Sequence, residues 1–172
     1  TISISELESD GFKGIFIGSG AGLPNFMGIP GENLINIMSS NEYLTRVNLM
    51  NAADPTTDTP INLGKNVMVV GGGNTAMDSC RTAKRLGANV MIVYRRSEDE
   101  MPARLEEVKH AKEEGIQFLT LHNPTKYIAD ESGAVKQAIL EIMRLGEPDA
   151  SGRRRPEPTG ETKTIDVDQV IV

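Results

Sequence analysis

The feature that most constrains the fold is a glycine-rich turn between an apolar run and an amphipathic segment. Residues 65–70 form the near-continuous apolar run typical of a strand inside a parallel sheet, and residues 71–76 follow the pattern G-x-G-x-x-A. Between residues 74 and 86 the apolar side chains recur at steps of three and four, which predicts a helix ended by Gly87. A second apolar run at 90–94 completes a strand–helix–strand unit of about 30 residues. The sequence therefore predicts a parallel α/β sheet.

Small residues at this turn suit a dinucleotide-binding site. Gly71 permits a tight turn, Gly73 lets a pyrophosphate approach the backbone, and Ala76 lets the helix pack closely on the strand. The free N–H groups and the positive dipole end of the helix would attract the phosphates. The same glycines also suit an ordinary strand-to-helix turn, but the flanking strands and helix favour a Rossmann-like site. The predicted pyrophosphate-binding residues are Gly71, Gly72, Gly73, Asn74, Thr75 and Ala76.

Two arginines follow the second strand, where the adenosine ribose of a bound dinucleotide would lie. An NAD site usually places Asp or Glu there, whereas this chain has Arg95 and Arg96 after Tyr94. Guanidinium groups hold a 2′-phosphate through charge-assisted hydrogen bonds. A solvated basic strand end is the alternative interpretation, and the acidic residues at 98–100 weaken the charge argument. The pattern favours NADP(H) over NAD(H).

The rest of the chain extends the α/β pattern and then changes character. We predict a helix at 102–114 and a strand at 116–121. After Pro124 the alternation is typical of antiparallel strands, interrupted by a polar loop. The expected fold is a Rossmann-like parallel sheet with flanking helices plus an antiparallel β annex. Further expected elements are a strand at 14–17, a helix from Ser39 or Ser40 to Leu49, strands at 126–129, 135–145, 162–165 and 167–172, and a loop at 146–158.

Composition excludes several classes of protein. The net charge of −6 argues against a general nucleic-acid binder. No apolar run reaches the roughly 20 residues needed to span a bilayer, and Cys80 is the single cysteine, so we expect a cytoplasmic protein without a membrane partner. Cys80 is expected to pack in the core. His110 and His122 are expected in ordinary surface or packing roles, and we assign no metal-binding or catalytic residue.

These motifs resemble the small (beta) chain of NADPH-dependent glutamate synthase and its relatives. Those relatives are the flavoprotein subunit of NADH-dependent ferredoxin:NADP oxidoreductase and, more distantly, dihydropyrimidine dehydrogenase. The similarity spans nearly the whole chain and is far more specific than the glycine motif alone. The matching stretches are 11–22, 28–34, 69–78, 93–96, 101–104, 110–115 and 146–155.

The resemblance implies an electron-transfer role. NADPH would bind this domain and pass hydride to an FAD held by a neighbouring domain, and iron–sulfur clusters would carry electrons to a large glutamate synthase subunit or a ferredoxin-type partner. It also implies that Arg104 is a third cation and that Gly20 and Gly22 lie near the FAD/NADP domain junction. We expect residues 1–60 to be the end of an FAD domain with a linker, and 61–172 to be the NADPH-binding domain.

The FAD glycine motif and the cysteine-rich cluster segment of that family are absent from this sequence. We therefore expect the piece to bind NADPH without catalysing turnover. Because the sequence lacks an initiator Met and stops inside the apolar run at 167–172, we expect both ends to be cuts within a longer chain. A nucleotide-sensing module that reports redox state through partner contacts is the alternative from another functional class, because the glycine turn suits both.

Overall fold

Two sheets organise the computed structural model, which describes residues 2–18, 22–148, 150 and 152–172. The parallel sheet contains β1 (Ile37–Met38), β2 (Asn66–Val70), β3 (Asn89–Tyr94), β4 (Gln117–Thr120) and β8 (Gln169–Ile171). The antiparallel sheet contains β5 (His122–Ala129), β6 (Val135–Pro148) and β7 (Arg154–Asp166). The helices are α1 (Ile4–Ser9), α2 (Ser40–Leu44), which continues into a π-helical turn (Thr45–Leu49), α3 (Asn74–Arg85) and α4 (Leu105–Glu113), with a short 3-10 turn at Glu98–Glu100.

The parallel sheet has the order β1-β8-β2-β3-β4, so strands distant in sequence become neighbours. From β2 the chain advances to β3 and then β4 in one direction, while β8 pairs with the opposite side of β2. The direction of winding therefore reverses between β2 and β8. Such a reversal is the topological switch point at which open α/β sheets bind ligands.

Helix α3 packs against the sheet along the apolar face that its sequence predicts. Ala76, Met77, Cys80 and Ala83 are buried in one cluster with β2 and β3 residues. Burial raises the pKa of the Cys80 thiol to about 12, so the thiol stays protonated at neutral pH and acts as a packed apolar group. Gly87 follows the helix with φ of +95°, the left-handed conformation that commonly ends helices.

The antiparallel annex covers the other face of the parallel sheet. Met68, Val93 and Val170 from the parallel strands share a buried cluster with Ala138 and Leu140 of β6. The molecule thus has three layers, with helices on one side of the parallel sheet and the annex on the other. The predicted fold class is confirmed.

Residues before position 61 belong partly to the same body. Ser39 caps α2 by accepting a hydrogen bond from the backbone N–H of Glu42, and Tyr43 of that helix is buried against Val67. Strand β1 pairs in parallel with β8. The predicted helix from Ser39 or Ser40 to Leu49 is confirmed in position, although its second half is π-helical.

Three expectations about elements were wrong. Residues 14–17 form no strand, and their apolar side chains are exposed because no other strand lies beside them in the described part of the chain. The polar segment 146–158 is largely strand, since β6 and β7 form one long hairpin. Helix α4 begins at Leu105 rather than at residue 102, because the preceding residues bond to the glycine turn instead of joining the helix.

Gly31 should be intolerant of a side chain. Its φ is +86°, and an added Cβ would overlap the backbone carbonyl of Tyr127. Gly133 has a similar φ of +84°, but the nearest atom to its added Cβ is a flexible Ile35 methyl at 3.9 Å. We expect Gly133→Ala to cost about 1–2 kcal/mol of unfolding free energy from the left-handed backbone. Gly31→Ala should cost about 1–3 kcal/mol more from overpacking.

Urea unfolding of both variants measures this difference, provided that the m-value is unchanged. Equal losses for Gly31→Ala and Gly133→Ala would show that the backbone conformation alone decides the cost and that the contact with Tyr127 does not matter.

Candidate functional site

A crevice lies at the carboxyl edge of the parallel sheet, where the winding reverses. Gly71 follows β2 and Val172 follows β8, and both line this crevice of about 220 Å³. Arg95 closes one side of it from the end of β3, and His122 and Asn123 face it from the start of β5. A larger cavity of about 400 Å³ lies at the opposite edge of the sheet, beside Asn66 and Asn89. We place the site at the carboxyl edge, because the helix starts point there.

The glycine turn leaves the start of α3 open. Gly71 has a φ of +133°, and an added Cβ on Gly72 would lie 2.9 Å from the ring of Tyr94. An added Cβ on Gly73 would meet no atom within 4 Å. Gly73 is the N-cap residue of α3, and no side chain caps that position. The first N–H groups of the helix therefore face a space that can hold an anion.

Ala103 and Arg104 brace this turn through two long-range hydrogen bonds, and a third bond holds the loop before them. The Ala103 N–H donates to the Gly72 carbonyl at 3.0 Å, and the Arg104 N–H donates to Asn74 Oδ1 at 2.9 Å. The hydroxyl of Tyr94 donates to the Glu100 carbonyl at 2.9 Å. Asn74, which begins α3, thus also caps the start of α4, where Arg104 is the N-cap residue. The two helix starts are held side by side.

The two arginines after β3 occupy different environments. Arg95 is exposed and lines the crevice. Arg96 is only 8% exposed, and its Nε donates to the backbone carbonyl of Arg154 at 2.9 Å. Both residues lie in the bend after β3, and the pair divides between the crevice and the hairpin. Arg104 is exposed at the start of α4, and its main chain rather than its guanidinium makes the contact with Asn74.

The remaining predicted residues separate into three groups. Thr75 and Ala76 lie in the first turn of α3, with Thr75 exposed and Ala76 buried. Gly22 lies in another groove, of about 440 Å³, beside Ser39 and Glu42 rather than in the crevice. Gly20 lies outside the described residues.

Sequence reasoning missed the residues that reach the crevice from other segments. His122 and Asn123 enter it because Leu121, with a φ of +56°, turns the chain sharply after β4. The Nδ1 atom of His122 lies 2.7 Å from the carbonyl oxygen of Thr120. Asn25 and Met27 reach the same crevice from the segment before β1. A positive φ at a leucine carries no sequence signal, although any residue at the end of β4 was a candidate by topology alone.

Residues 3–172 of the chain, which include these parallel strands, the uncapped helix start and the crevice, match one family model. That model describes the pyridine nucleotide-disulphide oxidoreductases. The chain belongs to the pyridine nucleotide-disulphide oxidoreductase family. Among the solved structures, FprA of Mycobacterium tuberculosis, determined in complex with NADPH, superposes with a TM-score of 0.73 at 18% identity. The match covers 89% of this chain and 48% of FprA, and it supports the family's fold.

Curated members of this oxidoreductase family carry several names. The NADPH-Fe(3+) oxidoreductase subunit beta of Geobacter sulfurreducens is 40% identical over 99% of this chain and 25% of its own length. The glutamate synthase [NADPH] small chain of Halomonas elongata is 39% identical over 94% of this chain and 34% of its own length. The resemblance to the glutamate synthase small chain is therefore confirmed, and the chain spans about a quarter to a third of these relatives.

Two kinds of feature are absent from the described residues. No helix there is long and apolar enough to cross a bilayer. No group of three or more His, Cys, Asp or Glu side chains within the same residues could hold a metal ion.

Asn74 should matter for stability through its cap on α4. Asn74→Ala removes the acceptor of the Arg104 N–H, and we expect a loss of about 1 kcal/mol in unfolding free energy. Asn74→Asp keeps an acceptor and adds negative charge at two helix starts, so it should stay near the original stability. The exposed neighbour Thr75→Ala is the control, and chemical denaturation is the measurement. Equal stability of Asn74→Ala and Thr75→Ala would contradict the bridging role.

Proposed function

We propose that this chain is the NADP(H)-binding domain of a flavin-dependent oxidoreductase of the glutamate synthase small-chain type. The observation that carries the proposal is the uncapped start of α3 at the switch point, with Arg95 at the end of the adjacent strand. An open helix start favours the pyrophosphate, and the exposed guanidinium favours the 2′-phosphate.

The residues present fit a dinucleotide. The backbone of Gly71, Gly72 and Gly73 would hold the pyrophosphate, because an added Cβ on Gly73 would project into open space. Asn74 and Thr75 supply N–H groups of the first helical turn. Ala76 keeps α3 close to β2, since the Ala76 Cβ lies 3.5 Å from a Cβ added to Gly71. The exposed Arg104 at the start of α4 supplies additional positive charge.

The bound dinucleotide would supply a hydride, and we propose that an FAD held by another domain accepts it. The only cysteine, Cys80, is buried in the core and provides no thiolate ligand, so iron–sulfur clusters would lie outside this sequence. A large glutamate synthase subunit is the proposed final partner, supported by the 39% identity to the Halomonas small chain. A ferredoxin-type partner is the second candidate, and the Geobacter relative, whose name specifies Fe(3+), favours an acceptor other than glutamate synthase.

The proposed domain boundary follows from packing. Burial of Tyr43 and the pairing of β1 with β8 support a dinucleotide-binding unit that begins near Ile29, earlier than residue 61. The preceding segment exposes several apolar side chains, including Phe16, which is 95% exposed. We propose that this segment joins the sheet of the FAD domain, where those side chains would be buried.

Arg95 should determine the preference for the phosphorylated dinucleotide. Isothermal titration of the purified protein should show tighter binding of NADPH than of NADH. Arg95→Ala should weaken NADPH binding by about tenfold or more and leave NADH binding nearly unchanged, because only NADPH carries the 2′-phosphate. Arg144→Ala, which removes an exposed arginine from β6, is the charge-matched control. Equal affinities of the unaltered protein for NADPH and NADH would sink the assignment.

Gly73 should be needed for binding more than for folding. Alanine at this N-cap position should cost about 1 kcal/mol of unfolding free energy. Its methyl group would occupy the space in front of the helix start, so NADPH and NADH should both bind much more weakly. Gly72→Ala should instead lower stability first, because its methyl group would press on Tyr94. Unaltered binding of NADPH by Gly73→Ala would place the pyrophosphate elsewhere.

A further inference from the structure

The start of β7 at Arg154, called the hairpin tip below, lies beside the residues that follow β3. Arg154, the first residue of β7, accepts a hydrogen bond from Arg96 Nε at 2.9 Å through its backbone carbonyl. The backbone N–H and the Nε of Arg154 both donate to Glu100 Oε1 at 3.0 Å. The tip is therefore bonded to two residues that follow β3, Arg96 and Glu100.

Glu100 is the residue that holds the tip. Its other oxygen, Oε2, accepts from the Ser97 hydroxyl at 3.0 Å and from the Ser97 N–H at 3.3 Å, so one carboxylate joins two loops. Burial works to raise the pKa of Glu100, but the hydrogen bonds from Arg154 and Ser97 outweigh it and lower the pKa below its ordinary value. The Glu100 side chain is only 9% exposed. The Arg154 side chain is 46% exposed, so only the carboxylate of this pair is shielded from water.

The contrast within the same hairpin is informative. Arg144 and Glu157 form an ion pair on the stem, with side chains 71% and 41% exposed. That pair joins β6 to β7 within the hairpin. Exposed pairs of that kind contribute little. The Glu100–Arg154 pair differs because it joins the hairpin to the strand end that carries the proposed 2′-phosphate site.

A fixed tip would order Arg96. An arginine side chain has many rotamers, and freezing them costs free energy when a ligand binds. The hydrogen bond to the Arg154 carbonyl restricts Arg96, and through the shared backbone it restricts the neighbouring Arg95 in the crevice, before any ligand arrives. The same loop reaches the glycine turn, because Tyr94 bonds to the Glu100 carbonyl and Ala103 bonds to Gly72. Both halves of the proposed dinucleotide site thus share one support.

We propose that the hairpin tip is part of the dinucleotide site and sets its preference for a 2′-phosphate, with Glu100 and Arg154 as positioning residues for the Arg95–Arg96 strand end. This inference rests on the proposed NADP(H)-binding function. It gives the hairpin a role in ligand preference in addition to the roles of the glycine turn and the arginine pair. The ligand class that the tip would select is an adenosine bearing a phosphate on the ribose 2′-oxygen.

Two small probes isolate the contribution of that phosphate. Adenosine 2′,5′-diphosphate and adenosine 5′-monophosphate differ only in the 2′-phosphate, so the ratio of their dissociation constants measures the preference. Titration calorimetry on the purified protein gives both constants. A merely structural defect would weaken both probes together and leave their ratio unchanged.

Four variants separate the tip from its surroundings. Arg154→Ala removes the Nε contact with Glu100, and Glu100→Ala removes both contacts with the tip. Ser97→Ala disturbs the bond of the loop to Glu100 without touching the tip, and Arg144→Ala removes one positive charge from the hairpin stem. We expect Arg154→Ala to lower the preference by about threefold to tenfold, the scale of one charge-assisted hydrogen bond. Glu100→Ala should lower it further, and Arg144→Ala should leave it unchanged. Ser97→Ala should have a smaller effect than Arg154→Ala, because the Ser97 N–H still donates to Glu100.

Each outcome decides between the alternatives. An unchanged preference in Arg154→Ala overturns the role of the tip, and this variant alone decides if Glu100→Ala fails to fold. Equal losses in Arg154→Ala and Arg144→Ala reduce the effect to overall charge and also overturn it. If the unaltered protein shows no preference for the 2′-phosphate, the proposed function itself fails. If the unaltered protein prefers the 2′-phosphate and Arg154→Ala keeps that preference, the proposed function stands and only the role of the tip fails.

Discussion

The parallel pairing of β2 with both β3 and β8 is the constraint on which the rest of the molecule depends. Because β8 follows the whole annex in the sequence, this pairing joins distant segments, with Val67 of β2 beside Gln169 of β8. The pairing places the ends of three strands at one edge and reverses the winding there. The open start of α3, the crevice beside Gly71 and the position of Arg95 all follow from that edge.

Local patterns were sufficient to predict the elements around the glycine turn. The apolar run before Gly71 and the three- and four-residue steps after it specify β2 and α3 within a residue or two, because both patterns report burial on one side of a regular element. The same reasoning failed for residues 14–17, which have a strand-like composition but no partner strand among the described residues. The composition of a segment indicates which side chains it would bury. A strand also needs a neighbouring strand with which its backbone can form hydrogen bonds.

The hairpin was misjudged for a related reason. Glycine, proline and charge in 146–158 indicate a loop, yet the backbone ladder with β6 and the bonds of Arg154 to Glu100 keep the segment extended. These are long-range contacts that no local window contains. Arg95 and Arg96 lie in the bend after β3, so their different environments follow from the bond of Arg96 to the hairpin and could not be read from strand periodicity. His122 reached the crevice through the positive φ of Leu121, for which the sequence offers no signal.

The annex therefore does two things with one piece of chain. Its inner residues, among them Ala138 and Leu140, bury the face of the parallel sheet that helices would otherwise cover. The same two strands extend beyond that face, so their tip reaches the carboxyl edge where Arg96 lies. A helix in that position would bury the sheet equally well, but it would not carry a backbone carbonyl to the end of β3. Strands β6 and β7 thus link the stability of the core to the order of the residues after β3. This link explains why a hairpin of polar sequence has a fixed position on the sheet.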